Sequence, residues 1–226
     1  MASTTPKQPR PDHLVLRPMT DADKPEVAEL FASTFQREPL GAYCGVTVKE
    51  GRGVAEASMV DPVSFVIEDP TLPGPGRLIA FRTSSILTKA LLTTKKPETA
   101  RDENSPVQQI LEHMKDLWLA KTTVFTTNPD AKVMKFIALG VDTRYEGLGL
   151  AKELLNKAMD KARETGCTAV MVVASAFATQ HLFGKRLGFE LMGQVRYSEF
   201  LSKDGKKPFE NLHEPEFLQI YEKKLE

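Results

Sequence analysis

The sequence predicts an α/β fold: an α+β mixed sheet, mostly antiparallel, of about seven strands flanked by helices. Two observations lead there. Short apolar or alternating runs with strand character recur along all 226 residues, interleaved with stripes of three-and-four helical spacing. In addition, residues 133–164 read as one unit: an apolar strand, a turn carrying Gly147 and Gly149, and an amphipathic helix with Ala151, Leu154, Leu155, Ala158, Met159 and Ala162 on one face.

Taken in order, residues 1–12 are proline-rich and polar and read as a disordered tail, leaving 13–226 as a single domain. His13–Met19 alternates enough for a strand. Thr20 with Asp21 and Asp23 starts a helix, with Pro25 tolerated in its first turn. Val27, Leu30, Phe31, Thr34 and Phe35 line one face of it, and Pro39 marks its end. Glycines 41, 45, 51 and 53 break up the next stretch, with a short helix expected over Gly53–Val60. Val63–Glu68 and Arg77–Leu87 form a hairpin around a proline- and glycine-rich tip. Residues 93–105 are polar and expected to be exposed. Val107, Ile110, Leu111, Met114, Leu117 and Trp118 form a second helical stripe, which either packs in the core or borders a pocket for an aromatic ligand. Phe125–Ala131 reads as a loop and Val133–Val141 as the central strand, where Gly140 suggests a bulge or splay. The helix Gly147–Glu164 is capped by Gly166. Ala169–Ala174 is an interior strand, Gln180–Arg186 is helical, and Phe189–Leu201 pairs with Glu216–Lys224 through a loop at Lys203-Asp204-Gly205.

Thirty basic residues balance thirty acidic ones, which argues against nucleic acid or an acidic membrane surface as the main partner. No apolar run is long enough to span a bilayer, and the N-terminus has no secretory character. Cys44 and Cys167 lie far apart and fit free thiols in a reducing, cytoplasmic setting. Neither has partners at metal-ligand spacing, so no metal is expected.

The turn between the central strand and its helix carries the functional signal. Helix N-termini leave N–H groups without internal partners, carry the positive end of the macrodipole and so bind phosphate. The spacing Gly-Leu-Gly fits neither the dinucleotide fingerprint, which has a third glycine, nor a P-loop, in which Gly-Lys-Ser/Thr follows.

Val141-Asp142-Thr143-Arg144-Tyr145-Glu146-Gly147-Leu148-Gly149-Leu150-Ala151, followed by Leu187-Gly188-Phe189, resembles the acetyl-CoA site of the GNAT N-acetyltransferases. Within that superfamily, Phe35-Gln36-Arg37-Glu38-Pro39-Leu40 and a C-terminal hairpin with Asp204-Gly205 and His213 are most similar to the insect and nematode arylalkylamine enzymes. The resemblance implies a sheet splayed at its central strand. Main-chain groups of Leu139 and Val141 would meet pantetheine there, and the amides of Glu146, Gly147, Leu148, Gly149, Leu150 and Ala151 would cradle the pyrophosphate. The family pattern has Arg or Gln at the first turn position. In the arylalkylamine register this chain has Glu146 there, whereas Arg144 satisfies the pattern in a shifted register. A carboxylate beside a pyrophosphate costs electrostatic energy unless it points away or finds a cation.

The resemblance implies acetyl transfer to the primary amine of a small arylalkylamine, directly in a ternary complex with acetyl-CoA. An alkylamine with a pKa near 10.4 is only about one part in a thousand neutral at pH 7.4, so a base is needed. Glu38 is the candidate. The Val141 N–H is a candidate donor to the thioester oxygen. No tyrosine stands on the helix before Gly188-Phe189 to serve as acid; Ser175 and Thr179 are the hydroxyl candidates, with Thr179 one residue out of register and Gln180 in the aligned place. Ser175 is the choice, against an ordinary helix cap. Tyr43 and His213 would border the amine. The partners implied are the amine and acetyl-CoA, with the chain a monomer or homodimer. Other acceptors (polyamine, amino acid or protein amine) and a non-catalytic acyl-CoA-binding role are the alternatives.

Overall fold

A computed structural model describes residues 10–93 and 105–225. The predicted N-terminal tail, up to residue 9, and nearly all of the polar stretch 93–105 lie outside the described residues. The chain runs β1 (Val15–Pro18), α1 (Lys24–Phe35), α2 (Pro39–Cys44), α3 (Val48–Ala57), β2 (Phe65–Glu68), β3 (Leu78–Leu87), α4 (Lys89–Thr93), α5 (Pro106–Lys121), α6 (Val124–Thr127), β4 (Lys132–Val141), α7 (Leu150–Glu164), β5 (Cys167–Ala174), α8 (Phe177–His181), β6 (Glu190–Arg196) and β7 (Phe217–Lys224). The seven strands form one mixed sheet, as the sequence predicted, and their order in it is β1-β2-β3-β4-β5-β7-β6. Every pairing is antiparallel except β4 with β5.

Burial explains this order. β4 and β5 are apolar on both faces, which suits interior strands covered from both sides. On one face Met134, Phe136, Val170 and Val172 pack against Leu155, Ala158 and Ala162 of α7. On the other, Val133, Ala169, Met171 and Ile220 meet Ile110, Met114 and Trp118 of α5, so the stripe predicted from the sequence is core. Val27, Leu30 and Phe31 of α1 cover Phe81 and Ala138 beside it. Glu222, buried in β7, accepts hydrogen bonds from Trp118 Nε1 at 2.7 Å and Thr122 Oγ1 at 2.6 Å, which ties the end of α5 to the sheet.

Local signals set the helix starts. The Asp23 carboxylate accepts from Thr20 N–H (2.7 Å) and Thr20 Oγ1 (2.9 Å), and a two-pronged ion pair from Arg17 fixes it further. Pro39 does not end α1. It opens α2 at a position where its missing N–H costs nothing. The third helix starts at Val48, not Gly53, because Thr47 and Glu50 form a capping box. The segment read as a loop from Phe125 begins with the single turn α6.

Two irregularities shape the centre. The β3–β4 register slips where Thr83 pairs with Ala138 but Ser84 with Phe136, so the extra residue is Ile137 and Gly140 stays in register opposite Phe81. Gly140 answers a steric need instead: a Cβ there would lie 2.3 Å from the Phe81 ring and 2.7 Å from Thr34 Oγ1. The β4–β5 ladder runs only from Lys132–Cys167 to Phe136–Val172; beyond it the two strands part. β6 stops at Arg196, short of the predicted Leu201, because a turn at Tyr197–Glu199 carries Tyr197 and Phe200 into the core.

Candidate active site

The parting of β4 from β5 leaves one edge of β4 open. Asp142 N–H donates to Ile79 O at 2.8 Å, and ladder direction alternates along an antiparallel strand, so the main-chain groups of Val141 and Leu139 point away from β3 into the gap. This is the edge that the family resemblance assigned to a pantetheine arm. Around it lies a cavity of ≈ 310 Å³ lined by Thr34, Arg37, Glu38, Leu139, Val141 and Glu146, with Pro39, Gly140 and Ala176 completing the wall. The C-terminus of α1, the start of α2, the end of β4 and the approach to α8 thus converge.

Glu38 is the N-cap of α2. Its Oε2 accepts from Gly41 N–H at 2.9 Å, while Oε1 is buried without a hydrogen-bond partner. One oxygen fixes the side chain and the other remains free. Thr34 Oγ1, also buried and unpartnered, lines the same cavity. The sequence had counted Thr34 only as part of an apolar stripe; a lone hydroxyl in such a stripe was the available signal.

Beyond Tyr145 the chain turns into α7. Gly149 is the N-cap in the left-handed region, φ +83°, and Gly147 has φ +82°. Among the described residues the N–H groups of 147–151 donate to no carbonyl, so five main-chain donors gather at the positive end of a helix, including those of Leu148, Leu150 and Ala151. The amide of Glu146 stands apart, donating to Thr143 O at 3.3 Å, so the cradle begins at Gly147. The Glu146 carboxylate has found a cation, but it is Arg37 at 3.0 Å. Arg144, the alternative from the shifted register, folds onto Asp142 instead.

Tyr145 anchors this turn. Its hydroxyl donates to Asp69 Oδ2 at 2.6 Å, and Asp69 also accepts from Thr71 N–H and Oγ1. Hydrogen bonds from Thr71 and Tyr145 hold the Asp69 carboxyl well below the usual carboxylate range. A hydrogen bond to a charged acceptor is worth about 1.5–3 kcal/mol, so Tyr145→Phe is expected to loosen the cradle and raise KM for the phosphate-bearing substrate several-fold, with kcat at saturation unchanged. Steady-state kinetics with that substrate varied checks it; a loss confined to kcat would contradict the anchoring role.

Ser175 lies between β5 and α8, half-buried, and its hydroxyl has no partner among the described residues. The cap of α8 is Ala176, with Thr179 Oγ1 donating to Ala176 O at 2.8 Å, so Ser175 is not the cap. After α8 the chain makes a π-helical turn over Leu182–Arg186, closed by Leu187 N–H on Leu182 O at 3.0 Å. Gln180 is structural: its Nε2 donates to Ala174 O and Phe217 O. Tyr43 and His213 are both exposed and line neither this cavity nor a second one beside Asp142, Thr143 and Arg144; Tyr43 rests against Phe209, with ring centroids 6.3 Å apart. Among the described residues no group of three or more His, Cys, Asp or Glu side chains is placed to hold a metal, and no helix is long and apolar enough to cross a membrane.

Residues 107–189 match the family model described as the acetyltransferase (GNAT) family. The family match therefore rests on this central segment, somewhat over a third of the chain. The matched span includes the open edge of β4, the amide cradle and Leu187-Gly188-Phe189. Solved structures share this GNAT fold over nearly the whole chain. Arylalkylamine N-acetyltransferase 2 of Aedes aegypti superposes with a TM-score of 0.73 at 21% identity, covering 95% of this chain and 100% of that one. The polyamine N-acetyltransferase of Drosophila melanogaster, which forms N-acetylagmatine, gives 0.70 at 19% identity, covering 94% and 100%. An agmatine N-acetyltransferase gives 0.73 at 19%, covering 95% and 100%. At these identities the likeness is one of fold. No curated protein sequence matches the chain.

Proposed function

We propose that this GNAT domain transfers the acetyl group of acetyl-CoA to the primary amine of a small arylalkylamine, with Glu38 as general base. The observation that carries the proposal is the Glu38 carboxylate, pinned through one oxygen and free at the other, in a cavity walled by the open edge of β4. The residues suit the cosubstrate: an unpaired strand edge matches an amide-bearing arm, and the free amides of 147–151 match a diphosphate. Acetyl-CoA supplies the activated thioester. Leu139 and Val141 align the arm, and the Val141 N–H, turned into the gap, meets the carbonyl oxygen as it gains charge. Glu38 Oε1 takes the ammonium proton, directly or through one water, so the amine attacks as a neutral nucleophile. Ser175, uncommitted to any cap, serves as donor to the departing sulfur.

Direct transfer is favoured over an acyl-enzyme. Partial desolvation and the negative charge of Glu38 push the Cys44 thiol up to about 11, and desolvation also raises the buried Cys167, so neither is a ready thiolate at neutral pH. Tyr43 and His213, exposed and outside both cavities, carry no part of this reading. The chain works in the cytoplasm as a monomer or homodimer.

Release of free CoA thiol with tyramine, dopamine and tryptamine, set against agmatine, spermidine and an amino-terminal peptide, tests the assignment. The arylalkylamines are expected to give kcat/KM at least about tenfold above the others. Preference for agmatine or spermidine would replace the acceptor class, and no thiol release with any amine would leave a binding protein.

A further inference from the structure

We infer that Arg37 is a cofactor-binding residue of this protein: from the end of α1 it supplies the cation that the phosphate turn lacks at Glu146, and it takes hold of the diphosphate. The inference rests on the acetyl-CoA reading above and adds a residue that reading does not contain.

The argument begins with a mismatch. Free amides at the start of α7 form an anion cradle, yet the residue entering it is a carboxylate, and like charges a few ångströms apart repel. A protein that binds a diphosphate there needs a compensating cation. Arg144 is spent on Asp142, with Nε at 3.1 and 3.2 Å and Nη2 at 2.7 Å from the carboxylate oxygens. Lys152, on the first turn of α7, lines neither cavity. Arg37 lines both the cavity holding Glu38 and a second one of ≈ 480 Å³ beside Asp142, Thr143 and Arg144. Its Nε donates to Ser33 O at 3.1 Å, which fixes the plane of the guanidinium against its own helix, and Nη1 reaches Glu146 Oε1 at 3.0 Å. Nη2 has no partner among the described residues. An Arg fork held this way is preorganised for two-pronged contact with phosphate oxygens.

The pair is also easily surrendered. The two side chains are 44% and 57% exposed, and ion pairs open to water contribute little net stability. A diphosphate carries more charge than one carboxylate and is further held by the amides, so it displaces Glu146 from Arg37. Glu146 then acts as a placeholder that keeps the guanidinium over the cradle before the cofactor arrives.

A charge swap tests this. Wild type, Arg37→Glu, Glu146→Arg and the double variant are titrated calorimetrically with CoA and, separately, with pantetheine, which lacks the diphosphate. Arg37→Glu is expected to weaken CoA binding about tenfold or more, as loss of a charge-assisted contact does. Glu146→Arg should bind CoA at least as tightly as wild type. The double variant should recover wild-type affinity to within about threefold, because a cation again faces the cradle. Pantetheine affinity should stay the same in all four. Both side chains are exposed, so the fold is retained, and Arg37→Gln provides a milder version of the same loss. Wild-type CoA affinity in Arg37→Glu, equal losses for pantetheine, or no recovery in the double variant would each overturn the inference while leaving the cofactor reading intact. A wild-type protein that binds no CoA would remove both.

Discussion

Glu38→Gln is expected to keep acetyl-CoA binding and lose two to four orders of magnitude in kcat, the range that general-base catalysis contributes. The substitution is clean because the amide oxygen of glutamine still accepts from Gly41 N–H, so the cap of α2 and the wall of the cavity persist. On the proposed reading, what disappears is the proton affinity of the unpartnered Oε1. CoA titration with single-turnover acetylation separates the steps: affinity within about twofold of wild type and a collapsed chemical rate is the expected pair of results. A variant that turns over normally would show that Glu38 is only a cap.

The second large effect is on stability. Trp118 is fully buried, packs edge-on against Phe125 at 5.9 Å and donates to Glu222. Truncating a buried aromatic residue to alanine costs about 3–5 kcal/mol, a large share of the roughly 5–15 kcal/mol that holds a domain together. Trp118→Ala is therefore expected to lower the urea midpoint steeply without changing CoA affinity in the protein that remains folded. Trp118→Phe keeps part of the packing but strips the indole donor from a buried carboxylate, for an intermediate loss of about 1–3 kcal/mol. If Trp118→Ala were stable but altered amine selectivity, the α5 stripe would border the acceptor pocket after all.

The sequence and the structure agree where pattern and burial coincide. The stripes of α5 and α7 and the doubly apolar β4 and β5 are readable because one period dominates each. The same is true of the cradle, whose glycines must adopt positive φ where the strand gives way to the helix. Legibility failed where a residue's usual role was displaced by its neighbours. Pro39 looks like a stop, but with Glu38 as cap it is a start. Gly51 looks like a breaker, yet it sits inside α3 because a side chain there would strike Ala28 O at 2.4 Å. Gly140 suggested the bulge that Ile137 makes. The candidate site was legible in its main-chain parts and in Glu38. The Arg37–Glu146 contact was not, since its members are 109 positions apart and only the packing of α1 beside the end of β4 joins them.

The brevity of the β4–β5 ladder has a mechanical consequence. Strands β1 to β4 and strands β5, β7 and β6 are two smaller ribbons stitched along a short seam, with the remainder of the seam left unsewn. On the proposed reading the guest molecule acts as the missing thread. A molecule that bridges the unsewn length would add its own binding free energy to the cohesion of the folded state.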